Sequence, residues 1–283
     1  HGLLMLCRTP HALEEEARTA AQANALGIPA QVLSADETSR LDPGVRMQVA
    51  GSVFFPRDCH LIPDRFLALL REEVVRRGGR ILWNTGVMGW SAGGRDQEVR
   101  AVKTSAGEIR GDAFVLAGGA WSPETVRTLD LRLPMQAGKG YTLTLTHPRQ
   151  LPRICAIFTE ARVAVTPMGS SLRFGGTMEI AGVNENINPV RIQGIVQAVP
   201  KYYPDFKPED FDGITPWRGL RPVSPDGLPY LGFSRHHRNL VVATGHAMMG
   251  LSLAPITGQL VAELLGGRPP SIDLTLLAPD RFS

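Results

Sequence analysis

LVVATGHAMMGL, residues 240–251, is the stretch that most strongly predicts the fold of this 283-residue chain. The apolar run at Asn239 to Ala243 predicts a buried strand, Gly245 to Gly250 a turn, and the residues up to Leu265 a helix. That helix places four apolar side chains on one face: Leu253, Ile256, Leu260 and Leu264. A helix N-terminus presents unpaired N–H groups and partial positive charge, so the turn suits an anionic ligand. The alternative interpretation is that these residues form a plain strand–turn–helix connection without a ligand.

A second glycine turn follows another apolar strand, at Phe114 to Ser122, with the sequence FVLAGGAWS. Ligands of open α/β sheets gather beyond the carboxyl ends of the strands, and glycine lets a backbone approach a ligand closely. Gly118, Gly119, Ala120 and Trp121 are therefore candidate ligand contacts. A tight turn with a core tryptophan explains the same residues equally well.

Arg221 lies in a third segment, WRGLRPVSPDGLPYLG, which spans Trp217 to Gly232. Glycine and proline near this arginine restrict the backbone around a planar, permanently charged group. A guanidinium forms two parallel hydrogen bonds with a carboxylate, so Arg221 is a candidate carboxylate ligand. The alternative interpretation is that Arg221 forms an ion pair at the protein surface.

The order of patterns along the chain is α/β, then mainly β, then α/β again. An opening strand at His1 to Leu6 precedes a helix at Pro10 to Leu26, and Ser34 with Glu37 forms a capping-box signature. Another helix at Pro63 to Arg77 is predicted to bury Phe66, Leu67, Leu70 and Val74. Strands follow at Arg80 to Trp83, Val99 to Thr104 and Glu108 to Ala117. From Met135 to Pro229, alternating strands separated by glycine and proline predict an inserted antiparallel sheet with one helix near Pro189 to Val199.

Composition and motif searches exclude several classes of function. The formal charge is +3 with both signs interspersed, so nucleic acid is not an expected partner. Cys7, Cys59 and Cys155 form no CxxC pair, which predicts thiols rather than a metal site or a disulfide framework. The sequence has no GxGxxG, GxxxxGK[ST], HExxH or GxSxG motif, and no apolar run of the roughly 20 residues that a membrane span needs.

Together the three segments resemble the D-amino-acid oxidase superfamily of FAD-dependent amine oxidoreductases over nearly the whole chain. Residues 114–121 are similar to its second flavin-contacting strand end, and 219–232 to its substrate-proximal segment. Residues 244–255 are similar to its C-terminal flavin turn and helix. The sequences GKGYTLT from Gly138, VTPM from Val165, RFGGTME from Arg173 and Tyr202-Tyr203-Pro204 resemble the D-amino-acid dehydrogenase branch.

The resemblance implies FAD as cofactor and a role for each matched residue. Arg221 is expected to bind the substrate carboxylate, with Tyr141 as a hydroxyl partner, and Val87 to lie near the adenine. The other expected flavin contacts are Gly118, Gly119, Ala120, Trp121, Gly245, His246, Met249, Gly250 and Leu251. The implied fold is an α/β, Rossmann-like FAD-binding domain with an inserted, mainly antiparallel substrate domain. No metal is expected.

Two departures from the family pattern matter. The opening GxGxxG strand and the acidic residue that holds the ribose are absent, so the FAD-binding domain is expected to be incomplete. An uncovered sheet edge or an exposed apolar patch should mark where a missing N-terminal segment or a dimer partner packs. In some oxidase relatives an arginine follows the histidine turn, where this chain has Met248 and Met249. Arg221 is then the main carboxylate anchor.

The predicted domains are an FAD-binding remnant at 63–134 and 239–266, a substrate-binding domain at 1–62 and 135–238, and a tail at 267–283. The implied reaction is oxidative deamination of a D-amino acid by hydride transfer from the α-carbon to flavin N5, with a quinone or oxygen as electron acceptor. The alternatives are oxidation of a secondary amine or a 2-hydroxy acid, and a non-catalytic fragment that binds no FAD. The expected location is cytoplasmic, with peripheral contact at the inner face of the membrane as the alternative.

Overall fold

The computed structural model describes residues 2–93 and 98–282, so His1 of the predicted opening strand lies outside the described residues. The strands, in chain order, are β1 Leu3–Cys7, β2 Gln31–Ser34, β3 Gly51–Phe55, β4 Val87–Ala92, β5 Val99–Thr104, β6 Gly107–Arg110, β7 Phe114–Leu116, β8 Gln136–Leu145, β9 Cys155–Phe158, β10 Val163–Met168, β11 Ser171–Ile180, β12 Trp217–Val223, β13 Tyr230–Phe233 and β14 Leu240–Thr244. The α-helices are α1 Pro10–Ala25, α2 Ala35–Leu41, α3 Pro63–Arg76, α4 Ser122–Thr125, α5 Pro189–Tyr202 and α6 Gly250–Leu265.

The chain divides into two units. The first comprises His1–Gly79, Gly140–Met178 and Glu185–Gly219, and the second Arg80–Lys139, Glu179–Asn184 and Leu220–Ser283. An eight-stranded sheet with the order β12-β8-β11-β10-β9-β1-β3-β2 dominates the first unit. Its core includes Tyr141, Phe158, Phe174 and Tyr203. The predicted α/β fold with a mainly antiparallel insert is confirmed, and β1 is an interior strand of the large sheet, parallel to β9 and antiparallel to β3.

The second unit contains two three-stranded sheets, β13-β14-β7 and β4-β5-β6. Leu116, Tyr230, Leu240 and Val242 belong to its core. Helix α6 packs on β13 and β14. On its predicted apolar face Leu260 is buried, whereas Leu253, Ile256 and Leu264 are half-buried. Among the described residues β7 pairs with β14 alone, and Val115 of β7 is exposed. Strand β7 is therefore an end strand of this sheet, and the packing of a further segment against it stays a prediction.

Local capping signals agree with the helices. Thr9 accepts a hydrogen bond from the Ala12 N–H at the start of α1, where Pro10 occupies the first turn. Both halves of the predicted capping box form at α2, because the Glu37 carboxylate accepts from the Ser34 N–H and the Ser34 hydroxyl from the Glu37 N–H. Such caps satisfy backbone donors that a helix start leaves without partners.

Three predicted features are wrong. Helix α3 forms, but Leu67, Leu70 and Val74 are exposed and none of its fourteen residues, all described, is buried. Its amphipathic period identifies one apolar face, yet no described element covers that face. Residues 80–83 form no strand. The strand predicted at Glu108 to Ala117 is two strands, β6 and β7, which belong to different sheets and are separated by residues 111–113.

The packing divides the chain differently from the predicted domains in several places. Residues 135–139 and 179–184 of the predicted substrate domain, and the predicted tail at 267–283, belong to the second unit. The sequence prediction assigned residues 220–238 to the substrate domain. They belong to the second unit, because β13 is hydrogen-bonded to β14. Residues 63–79 group with the first unit, although the sequence prediction placed them in the FAD-binding remnant. With no buried residue, α3 supplies few contacts that tie it to either unit. The functional assignment of the two domains stays a prediction.

Candidate functional site

The two predicted glycine turns meet in the second unit because their strands are parallel neighbours. Strand β14 pairs with β7 in the register Leu240 to Phe114 and Val242 to Leu116. Parallel strands end at the same edge of a sheet, so the residues after Leu116 and those after Thr244 emerge side by side. The candidate residues at 118–121 and 245–251 therefore belong to one site.

Two buried hydroxyl groups join these strand ends. The Ser122 hydroxyl donates to Thr244 Oγ1 at 3.1 Å, and the Thr244 hydroxyl donates to the Gly119 carbonyl oxygen at 3.2 Å. Ser122 and Thr244 are both almost completely buried. Since a buried polar group without a partner is costly, this short chain of hydrogen bonds fixes the distance between the two turns. Sequence reasoning quoted both residues but gave neither a role.

Glycine is required in both turns, for different reasons. Gly119 has φ of +56°, and a Cβ placed on it would meet nothing within 4 Å, so its backbone faces open space. Gly245 has φ of +82°, and a Cβ there would lie 3.0 Å from Tyr230 Cδ2. The first glycine leaves room for a ligand, whereas the second allows β14 to turn sharply against a core ring.

The turn after Gly245 is tied to the end of β12. The Ala247 N–H donates to the Pro222 carbonyl oxygen at 2.9 Å, and His246 forms a β-bridge with Val223. Ala247 itself has φ of +47°, an uncommon conformation for a non-glycine residue that these contacts hold in place. Arg221 is thus next in sequence to a residue that contacts the turn. Burial lowers the pKa of its guanidinium, which remains charged.

His246 lies inside the turn and contacts the following helix. Its Nε2 is 3.0 Å from the Thr257 hydroxyl of α6, either atom being a competent donor. Burial lowers the pKa of His246 below its ordinary value. The imidazole is therefore neutral at physiological pH, and adds a hydrogen-bonding group rather than a positive charge to the site.

Helix α6 begins at Gly250 with exposed apolar side chains around its first turn. Among the described residues no side chain caps this N-terminus. Met248, Met249 and Leu251 are exposed there, Met248 at 69 %, and Trp121 of the first turn is exposed as well. Uncapped N–H groups with partial positive charge, beside apolar side chains and an open glycine, fit a flat aromatic group that carries negative charge. The isoalloxazine ring of FAD is flat and aromatic, and it takes on negative charge when it is reduced.

The remaining predicted site residues either pack within the first turn or lie outside both turns. Ala120 is buried behind its turn, and Gly118 packs against Ser122, where a Cβ would approach the Ser122 hydroxyl to 3.2 Å. Val87 begins β4 and lines an open cavity of about 350 Å³ together with Thr85 and Phe114. Tyr141 belongs to the first unit, where its buried hydroxyl donates to the Asn186 carbonyl and accepts from the Asn188 N–H.

Metal ligands, cysteines and membrane-spanning helices are the other features that would indicate a function in the described part of the chain. In residues 2–93 and 98–282, no three His, Cys, Asp or Glu side chains cluster as metal ligands would. Cys7 and Cys155 are buried thiols and Cys59 is an exposed one. None of the helices described is both long and apolar enough to cross a membrane.

The sequence profile of the FAD dependent oxidoreductase family matches residues 1–264 of this chain. The chain belongs to that family. FAD is the cofactor of the family and oxidation–reduction its chemistry, so the resemblance and the cofactor that it implies are confirmed.

Individual relatives agree with the family assignment. The D-amino acid dehydrogenase of Paramagnetospirillum magneticum is 33% identical over 287 residues, covering 100% of this chain and 67% of that protein. The D-amino acid dehydrogenase of Bradyrhizobium diazoefficiens is 31% identical over 291 residues, with coverage of 100% and 67%. This FAD dependent oxidoreductase thus spans about two thirds of the length of those relatives.

Solved structures show the same fold. Glycine oxidase from Geobacillus kaustophilus superposes with a TM-score of 0.89 at 25% identity, covering 99% of this chain and 74% of that one. L-proline dehydrogenase from P. horikoshii superposes with a TM-score of 0.83 at 20% identity, covering 99% and 76%. The second likeness concerns the fold alone.

Replacing Gly245 with alanine tests the strained turn. The left-handed backbone and the close approach to Tyr230 predict a loss of about 1–3 kcal/mol in the free energy of unfolding, measured in urea. Gly258→Ala is the matched control, since Gly258 lies within α6 with open space around it. Because alanine favours helix, we expect that control to gain up to about 1 kcal/mol. Equal stability of Gly245→Ala and the wild type would contradict the assignment.

The buried imidazole predicts a pH dependence of stability. The pKa of His246 is lower in the folded state than its ordinary value of 6.5. Its contribution to stability is therefore complete above pH 6.5 and is lost as the pH falls from there toward the folded pKa. We expect Tm to fall between about pH 7.5 and about pH 5, and to fall less in His246→Gln. Superimposable Tm–pH curves for the two proteins would be evidence against a buried neutral histidine.

Proposed function

We propose that this chain catalyses the FAD-dependent oxidative deamination of D-amino acids. The observation that carries the proposal is the contact between the Gly245–Gly250 turn and the end of β12, which brings the backbone beside Arg221 to the predicted flavin turn. Relatives named D-amino acid dehydrogenases, at 31–33% identity over the whole chain, support the substrate class.

Arg221 is the proposed ligand of the substrate carboxylate. Its guanidinium forms two parallel hydrogen bonds with a carboxylate, which fixes the orientation of the amino acid as well as its position. The partial burial that lowers the pKa of Arg221 also removes competing water, so a charged hydrogen bond there is stronger than at the surface. Binding of the carboxylate at Arg221 therefore also fixes the direction of the bond from the α-carbon to its hydrogen.

The glycine turns are the proposed contacts of the flavin. FAD, when bound there, would supply the acceptor for the hydride that leaves the α-carbon of the amino acid. The open backbone at Gly119 and the exposed Trp121 and Met249 bind the ring, and the α6 N-terminus favours the negative charge of its reduced form. Because His246 is neutral, it adds no full charge to this turn. Val87 is the proposed contact for the adenine end.

No side-chain base is needed if the amine binds in its neutral form. The amine lone pair then assists departure of the hydride, and water hydrolyses the imino acid after it is released. Tyr141 is proposed as a hydroxyl contact of the amino acid. The Tyr141 hydroxyl already donates to the Asn186 carbonyl and accepts from the Asn188 N–H. Arg221 is therefore the main proposed contact of the amino acid, and Tyr141 a secondary one.

A substrate screen tests the proposed function. FAD-saturated protein is assayed with D-amino acids, their L-enantiomers, glycine, sarcosine, proline and 2-hydroxy acids, using an artificial electron acceptor. We expect the D-amino acids to be oxidised with kcat/KM at least about tenfold above their enantiomers. Turnover confined to secondary amines or 2-hydroxy acids would replace the proposed substrate class, and no turnover by FAD-loaded protein would overturn it.

Arg221→Lys tests the carboxylate ligand. Lysine keeps the charge but loses the two-pronged geometry, which costs about 1.5–3 kcal/mol for a charged hydrogen bond. We expect kcat/KM for D-amino acids to fall by roughly ten- to a hundredfold while FAD content is unchanged. Arg238→Lys is the control, because Arg238 is an exposed arginine of the same unit, paired with Glu98. An Arg221→Lys protein with wild-type kcat/KM would rule out this role.

A further inference from the structure

Arg281, near the C-terminus, holds the loop between β12 and β13. Its Nε and Nη2 donate to the two carboxylate oxygens of Asp226 at 2.8 and 2.9 Å. Nη2 also donates to the Leu228 carbonyl at 2.8 Å, and Nη1 to the carbonyls of Pro229 and Ala278. Only 12% of the Arg281 side chain is exposed, so these contacts are shielded from water. They hold the pKa of Asp226 down at about 2.

The same guanidinium stacks on Tyr230. Arg281 Cζ is 4.1 Å from the centroid of the Tyr230 ring, a cation–π distance, and the Tyr230 hydroxyl donates to the Pro134 carbonyl at 2.5 Å. That ring is also what Gly245 packs against, since a Cβ on Gly245 would lie 3.0 Å from it. One aromatic ring therefore contacts both Arg281 and the turn of the candidate site.

The loop that Arg281 holds is connected to the site along a second route. Residues 224–229 link β12, which carries Arg221, to β13. Pro222 at the end of β12 accepts the Ala247 N–H of the turn. The position of β12 relative to the turn thus depends on how this loop closes, and the loop closes around the Arg281 guanidinium.

We propose that Arg281 is a positioning residue, which fixes the Gly245–Gly250 turn through Tyr230 and the Arg221 strand end through the Asp226 loop. The proposal deepens the proposed function, because it explains what orients the two groups on which that function rests. Arg281 acts through Tyr230 and Asp226 and is not itself assigned a contact with FAD or substrate.

Hydrogen exchange of the protein without FAD or amino acid tests the proposal. In Arg281→Gln we expect the amides of Ala247 and Met249, which donate to Pro222 and His246, to exchange about tenfold faster or more. The amide of Val102 in the β5–β6 ladder should stay within about twofold of the wild type. Arg238→Gln, which removes an exposed arginine from the same unit, should leave all three amides unchanged.

FAD affinity is the second measurement, by quenching of flavin fluorescence. We expect the Kd of Arg281→Gln for FAD to rise about tenfold, with partial recovery in Arg281→Lys, which keeps the cation over the ring. If Arg281→Gln does not fold, Asp226→Asn gives the same comparison with a milder loss. A uniform rise in exchange at all three amides, or an unchanged turn, overturns the proposal. Hydrogen exchange needs no substrate, so a failure of D-amino acid oxidation in the wild type is distinguishable from a failure of this inference.

Discussion

The hydrogen bonds among Ser122, Thr244 and Gly119 are the contact on which the candidate site depends. They join the ends of two parallel strands that otherwise diverge, one into a short helix and the other into a glycine turn. Because the two hydroxyl groups are buried, replacing either one removes the hydrogen bond between them, and water is not available to replace it. The separation of the two glycine turns is consequently set by the core and not by surface loops.

A site built in this way consists mainly of backbone. Gly119 and Gly245 have positive φ, and Ala247 shares that conformation at a cost that its hydrogen bond to Pro222 offsets. In the proposed site, backbone N–H groups and a helix N-terminus bind an extended anionic cofactor without titratable side chains. The chemistry then needs few charged residues, and His246 is kept neutral by burial. This explains why searches for catalytic side-chain motifs in the sequence find none.

Sequence patterns predict the features of this chain that local physics determines. The strand, turn and helix from Leu240 to Leu265 form as predicted, because a short apolar run, two glycines and a helical period each act over a few residues. Helix α3 shows the limit, since its period identifies an apolar face but not what covers it. Strands β6 and β7 show a second limit of sequence prediction. Hydrogen bonding of β7 to β14, which is distant in sequence, is what assigns β7 to a different sheet from β6. The identity of the flavin contacts came from resemblance rather than from these patterns.

Arg281 was not identifiable from the sequence for a related reason. A single arginine near the C-terminus belongs to no periodic pattern and no motif, and its significance depends on which loop it contacts in the folded chain. The sequence Pro225-Asp226-Gly227 predicts a turn, so Asp226 is identifiable as a turn residue. A turn residue needs no distant partner, and the sequence therefore does not predict its contact with Arg281, 55 positions away. Local patterns thus locate backbone that must adopt a special conformation, whereas the contacts that hold it there are long-range. At this site those long-range contacts converge on Tyr230, which is paired with Thr244 across the sheet and stacked under Arg281.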